Sequence, residues 1–205
     1  MTGDGTWSDG RGQDWLAESL FAKRIVQLSG PIDHGTANQV AAQLMTLDAL
    51  GDDPVELRVT SDTGQTSAAL ALVDVIDLLG VPVHATALGR VHGPALAVLA
   101  VCDRRLLGDH TSIRMVEPDA DFRGSAGQLE QQAAAHRDEW AAFCACLAGA
   151  TGQTTDKVAA DAAAGIYLTT DQAVAYGLAD EVARRGADIH RLPLRSVGFR
   201  PDGNR

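Results

Sequence analysis

The stretch GRVHGPALAVL, residues 89–99, joins a predicted strand to an apolar predicted helix. Small residues at such a junction let a helix begin close against a sheet, where an exposed nucleophile and an anion-binding backbone can be built. Gly93 has no side chain that could attack a substrate, and Pro94 has no backbone N–H to donate to a developing oxyanion. The stretch therefore has the small residues of a turn that could present a nucleophile, but it lacks both the nucleophile and one backbone donor.

Strands and helices alternate upstream of this junction. The patterns predict strands at 24–28, 55–60 and 82–88, with helices at 36–50 and 67–79 between them. The second strand alternates cleanly between apolar and polar residues, and the second helix is apolar on nearly every side, which is typical of burial. Because short joins connect these elements, the sequence predicts an α/β fold with a mainly parallel sheet and right-handed crossovers.

Downstream of the junction the pattern changes to short extended pieces and longer helices. Ser125 and Gln128 have the spacing of a capping box, which predicts a long helix ending near residue 150. The other predicted elements are extended pieces at 104–107 and 112–116, helices at 154–163 and 169–177, and a closing strand at 178–182. We predict a disordered N-terminal arm at 1–14, one domain at 15–185 and a flexible tail at 186–205.

Composition narrows the classes of function. The chain has 205 residues with 45% hydrophobic content, which suits one well-buried domain. Its net charge is −10 and its basic residues are scattered, so we predict no nucleic-acid partner. The spacing of Cys144 and Cys146 does not suit a metal site, and no stretch has the length of a membrane span. We predict a cytoplasmic protein with no membrane contact, no metal and no cofactor.

Motifs between about residues 20 and 184 resemble those of the proteolytic subunit of the Clp protease, ClpP. They are Gly30-Pro31-Ile32-Asp33, Ala37-Asn38, Ala42-Gln43-Leu44, Asp74, the stretch from Gly89, Thr151-Gly152-Gln153 and Tyr176-Gly177-Leu178-Ala179-Asp180-Glu181. The resemblance implies a ClpP/crotonase-type fold, a β-β-α superhelix whose handle helix, at about 125–151, packs two heptameric rings face to face. It also implies, for active members, a Ser-His-Asp peptidase enclosed in a chamber and fed by an AAA+ unfoldase.

The same resemblance places the family's catalytic positions on residues that lack the chemistry. Its nucleophilic serine falls on Gly93, its histidine on Val116 and its aspartate on Gly165. A serine hydroxyl needs a base and a group that orients the base, and these three residues supply none of these roles. Of the two oxyanion donors, one falls on Gly64, which keeps its amide, and the other on Pro94, which has none. The sequence therefore predicts a degenerate ClpP-like or ClpR-like paralogue without catalytic residues.

We expect a structural or regulatory subunit that forms rings with itself, with an active ClpP paralogue and with an AAA+ unfoldase as partners. One alternative is a self-assembling scaffold that is not proteolytic. A second is a residual hydrolase in which His92 and Glu117 act as acid and base. A third is a crotonase-like acyl-CoA binder, because Glu117 falls at or near the second catalytic glutamate of crotonases; Ala97, however, falls on the first.

Overall fold

A seven-stranded sheet forms the centre of the fold in the computed structural model, which describes residues 10–184. Its strands are β1 (Ile25–Ser29), β2 (Val55–Ser61), β3 (Val83–His92), β4 (Arg104–Gly108), β5 (Ser112–Arg114), β6 (Tyr167–Leu168) and β7 (Glu181–Ala183). Strands β1, β2, β3, β4 and β7 lie side by side and parallel. Strand β5 is parallel to the carboxyl end of β3, and β6 is antiparallel to β5. The predicted α/β fold with a mainly parallel sheet is confirmed.

Helices pack on this sheet and bury one of its faces. They are α1 (Gly10–Phe21), α2 (His34–Leu50), α3 (Thr66–Leu78), α4 (Ala95–Ala100), α5 (Ala126–Thr151), α6 (Thr155–Ala164) and α7 (Thr170–Tyr176). Every residue of α4 is buried, and the inward residues of β2 are fully buried beneath the helices. The apolar run after the quoted glycines is therefore a core helix, which fixes the carboxyl end of β3 against the domain.

Several boundaries differ from the sequence prediction. Helix α1 begins at Gly10, inside the segment 1–14 predicted as a disordered arm; residues 1–9 and the predicted tail at 186–205 lie outside the described part of the chain. Strand β3 continues to His92, because its second half gains β5 as a new parallel neighbour after the register shifts beside β2. The two-residue strand β6 was missed, since two residues carry no periodic signal.

Helix α5 corresponds to the predicted handle. Its 26 residues span about 39 Å at 1.5 Å per residue. The side chain of Gln128 accepts a hydrogen bond from the Ser125 N–H at 2.8 Å, so the predicted cap is in place. The buried residues Phe143, Cys144, Leu147 and Ala148 all lie in the second half of the helix. Within residues 10–184 no helix is both long enough and apolar enough to cross a membrane.

Candidate functional site

Gly93 stands at the carboxyl end of β3, where the chain turns into α4. Its φ of +52° lies in the left-handed region that favours glycine, and its N–H donates a hydrogen bond to the Arg114 carbonyl at 3.0 Å. A Cβ placed on Gly93 would lie 3.2 Å from the Val116 carbonyl oxygen and 3.5 Å from Val116 Cγ1. The positions predicted for nucleophile and base are therefore in direct contact, and neither carries a reactive group.

Gly165, the position predicted for the aspartate, approaches the same segment from the other side. It ends α6 with a φ of +64°, and a Cβ built on it would lie 3.4 Å from Arg114 Nη2. The Met115 N–H donates to the Ile166 carbonyl at 2.9 Å, which holds the two segments together. The three positions thus converge on residues 114–116, with the Arg114 guanidinium in the place towards which a side chain at 165 would point.

The two positions predicted for oxyanion donors lie at the ends of neighbouring parallel strands. Ser61 near the end of β2 pairs with Val91 near the end of β3. The turn after β2, which contains Gly64, and the turn after β3, which contains Pro94, therefore lie at the same end of the sheet. A Cβ on Gly64 would lie 2.7 Å from the Ile32 carbonyl oxygen, so this close approach requires glycine. Gly64 keeps its N–H, whereas Pro94, at the cap of α4, has none.

His92 is 8% exposed and does not face Glu117 as a hydrogen-bond partner. Its Nε2 lies 3.1 Å from Ser112 Oγ, and its ring meets the ring of Tyr167 edge to face with centroids 6.0 Å apart. Burial lowers the pKa of His92 below its usual value; Asp62 opposes this shift, and the Arg114 and Arg90 charges add to it. Burial therefore favours the neutral form of this imidazole.

Glu117 has a different partner on the handle. Its Oε1 lies 3.3 Å from His136 Nε2, and the Phe122 ring packs edge to face on His136 with centroids 5.6 Å apart. The structure therefore gives His92 and Glu117 separate partners and does not bring them together as one acid–base pair. His136 was missed in the sequence, because nothing in the spacing of residues 117 and 136 marks a contact between a loop and a helix.

The sequence reasoning also missed three neighbours of the vacated positions. Arg114 on β5 pairs with His92 on β3 and with Tyr167 on β6, so their side chains share one face of the sheet, and Ser112 lies on that face two residues away from Arg114. The Arg114 guanidinium lies over the Tyr167 ring at 5.1 Å from the ring centroid. Period-two alternation in residues 112–114 could have placed Ser112 and Arg114 on the same face of a strand. Tyr167 joins that face only through the pairing of β6 with β5, which the sequence did not predict.

This arrangement lacks the parts of a hydrolytic triad. His92 and Ser112 are in contact, but among the described residues no side chain is hydrogen-bonded to Nδ1 of His92 to orient it. The described chain also contains no cluster of histidine, cysteine, aspartate or glutamate that could hold a metal. What the site does present is a guanidinium, an imidazole, a hydroxyl and a phenol ring at one edge of the sheet.

We compared the sequence and the fold with those of known proteins. The family model described as Clp protease matches residues 9–186. The chain belongs to the Clp protease family. Its relatives include the ATP-dependent Clp protease proteolytic subunit 1 of Streptomyces avermitilis, 30% identical over 195 residues, which are 94% of this chain and 90% of that one. Proteolytic subunit 3 of Streptomyces coelicolor is 31% identical over 190 residues, 90% of this chain and 87% of that one.

A solved Clp protease structure shares the fold. A mutant of ClpP1 from Listeria monocytogenes superposes with a TM-score of 0.74 at 22% identity, covering 83% of this chain and 97% of that one. The ClpP-like fold is thereby established, including the handle helix and the mixed, mostly parallel sheet. That Gly93, Val116 and Gly165 hold the places of the Clp protease triad stays a prediction, now with contacts that can be tested.

Proposed function

We propose that this chain is a catalytically silent subunit of a Clp-type assembly, with a structural or regulatory role. The convergence of Gly93, Val116 and Gly165 on residues 114–116 supports this proposal, because these three residues, which the resemblance assigns to the triad, carry none of its reactive groups. Arg114 supports it further. A guanidinium stands where an aspartate side chain would have to reach, so the site is occupied by a group of the opposite charge.

The loss of catalysis would be severe on physical grounds. Removing a triad member leaves only the part of catalysis that comes from binding and the oxyanion hole, about 10³–10⁴-fold over water in well-studied serine proteases. Removing one oxyanion donor typically costs a further factor of about 10²–10³. Since Pro94 lacks that donor, we expect peptidase turnover indistinguishable from background.

The handle and the surface support assembly. From Asp121 to Gln132 every residue is exposed, so the first part of α5 has almost no packing within the described chain. A helix of that length in water depends mostly on tertiary packing of one face, which another subunit would supply. Leu78 is 85% exposed and Leu50 68% exposed, so both side chains are available to a neighbouring subunit. We propose rings made with itself and with an active ClpP paralogue, and docking of an AAA+ unfoldase.

Co-assembly is the direct test. The purified chain is mixed with an active ClpP, and the two are separated by affinity tag and weighed by native mass spectrometry, alone and together. Mixed particles with peptidase activity that falls as the silent subunit is added support the proposal. A strict monomer under both conditions would contradict every assembly role. Symmetric particles of this chain alone, with no mixed species, would favour the self-assembling scaffold instead.

A residual hydrolase is the second candidate, and the Ser112–His92 contact is the observation that favours it. Its test is hydrolysis of a fluorogenic peptide and of a p-nitrophenyl ester by the intact chain. Turnover that disappears in both Ser112→Ala and His92→Ala would support the hydrolase and overturn the silent proposal. Acyl-CoA binding that is lost in Glu117→Ala would favour the crotonase-like alternative, although Glu117 is engaged by His136 in this structure.

A further inference from the structure

Within residues 10–184, the Nε of Arg114 is buried and has no hydrogen-bond partner. No described carboxylate forms an ion pair with the guanidinium either, although Arg90 beside it is paired with Asp62 at 3.0 Å. Only this Nε is buried, since Arg114 as a whole is partly exposed. A buried donor left unpaired is costly, so proteins rarely keep one without a ligand or a partner.

The neighbours of Arg114 hold it in position rather than neutralise it. The Arg114 guanidinium lies over the Tyr167 ring at 5.1 Å from the ring centroid, and Tyr167 is 63% exposed, so a ligand can reach this ring from solvent. The His92 ring meets the Tyr167 ring edge to face, and its Nε2 contacts Ser112 Oγ. On the remaining side Gly165 leaves free the space beside Nη2 that a side chain would fill.

We propose that His92, Ser112, Arg114 and Tyr167, named here the Arg114 site, bind a carboxylate through the guanidinium of Arg114. A guanidinium presents two parallel N–H donors that match the two oxygens of a carboxylate, and the charge makes these hydrogen bonds stronger than neutral ones. The ligand would sit beside Gly165, where its oxygens reach Arg114 and its carbon lies against Tyr167. The inference deepens the proposed function, because it requires that position 165 carry no catalytic carboxylate.

A carboxylate fits this site better than a phosphate does. Asp62 already compensates Arg90, and burial favours the neutral form of His92, so Arg114 carries the positive charge that no described carboxylate compensates. One positive charge balances a carboxylate monoanion, whereas a phosphate with about two negative charges would be left half compensated. The carboxylate can come from a peptide C-terminus, from an acidic side chain or from a free small acid, and these sources share the chemistry proposed.

Binding is measured on the full chain by fluorescence anisotropy with three labelled peptides. The first is tetra-alanine with a free C-terminal carboxylate, the second is its C-terminal amide, and the third is the amide with one glutamate. We expect the free acid, the glutamate peptide or both to bind about ten- to a hundredfold more tightly than the plain amide. Sodium acetate should compete. Equal binding of all three peptides, or competition by inorganic phosphate at lower concentration than acetate, would overturn the proposal.

Variants separate the role of Arg114 from folding. Arg114→Met should abolish the preference for the acid, while Arg123→Met, which removes an exposed arginine elsewhere, should leave it unchanged. Gly165→Asp should place a carboxylate beside Nη2 and compete with the ligand, reducing affinity about tenfold or more. Gly165→Asn is its neutral match, and both side chains tolerate the left-handed φ of +64° better than most.

The outcomes distinguish this inference from the proposed function. If Gly165→Asp and Gly165→Asn bind the acid peptide equally, the carboxylate is not held by Arg114 and the inference fails. Peptidase turnover is recorded separately in the same samples. Turnover by the unmodified chain would refute the silent subunit without affecting the binding result, and loss of binding preference leaves the co-assembly experiment unaffected.

Discussion

Gly93→Ser replaces the glycine at the predicted nucleophile position, and its cost follows from two features of the backbone. A φ of +52° costs a residue with a side chain about 1–2 kcal/mol. The new Cβ would also lie 3.2 Å from the Val116 carbonyl oxygen, a tight contact that adds about 1 kcal/mol of overpacking. We therefore expect the free energy of unfolding to fall by about 2–3 kcal/mol, and no peptidase activity to appear.

Urea denaturation followed by circular dichroism measures the first quantity, and labelling by a fluorophosphonate probe measures the second. Gly152→Ser is the matched control, because Gly152 has a similar φ of +70° and a Cβ there meets nothing within 4 Å. Gly93→Ala carries the same Cβ without the hydroxyl. The packing argument is refuted if Gly93→Ser costs no more than Gly152→Ser. Labelling of Gly93→Ser, but not of Gly93→Ala, would show that a base is present and refute the vacant site.

Three further predictions concern the frame around the site. Asp180→Asn should lower the free energy of unfolding by about 0.5–1 kcal/mol, because Arg105 donates to this carboxylate and solvent screens the partly exposed pair. The same hydrogen bonds lower the pKa of Asp180, so the stabilisation present above about pH 4 should disappear on acid titration. Thr169→Ala should cost about 1 kcal/mol in thermal unfolding through loss of the capping box of α7. Iodoacetamide at pH 8 should label native Cys102 and Cys144 far more slowly than the unfolded chain, because burial raises their pKa values to about 12 and about 11; rapid native labelling would contradict this burial.

The sheet and helices could be predicted from the sequence because each has a periodic signal of adequate length. The alternation in β2 and the caps at Ser125 and Thr169 are local features, and the structure places these elements within one or two residues of the prediction. Strand β6 and the second half of β3 could not be predicted in this way. They exist because β5 and β6 pair at the end of β3, and pairing between distant segments leaves no local pattern.

The candidate site also has features that the sequence predicts and features that only the structure shows. Resemblance to ClpP predicts which three positions correspond to the triad, because motif spacing can be read from the sequence, and this assignment stays a prediction. It could not indicate what replaced the missing groups. The contacts of Arg114 with Tyr167 and of His92 with Ser112 arise from register across three strands, and the contact of Glu117 with His136 arises from the path of a loop over a helix.

The three positions predicted for the triad are in contact with one segment, residues 114–116, which bears on any attempt to introduce catalysis. A carboxylate introduced at position 165 would meet Arg114 at ion-pair distance before it could orient a histidine at 116, so the residue that should complete the triad would be neutralised. Replacing Arg114 as well would free that carboxylate, but the amide missing at Pro94 would still leave the oxyanion with one donor. If the predicted triad positions are correct, we expect peptidase activity to require changes at all five positions, 93, 94, 114, 116 and 165.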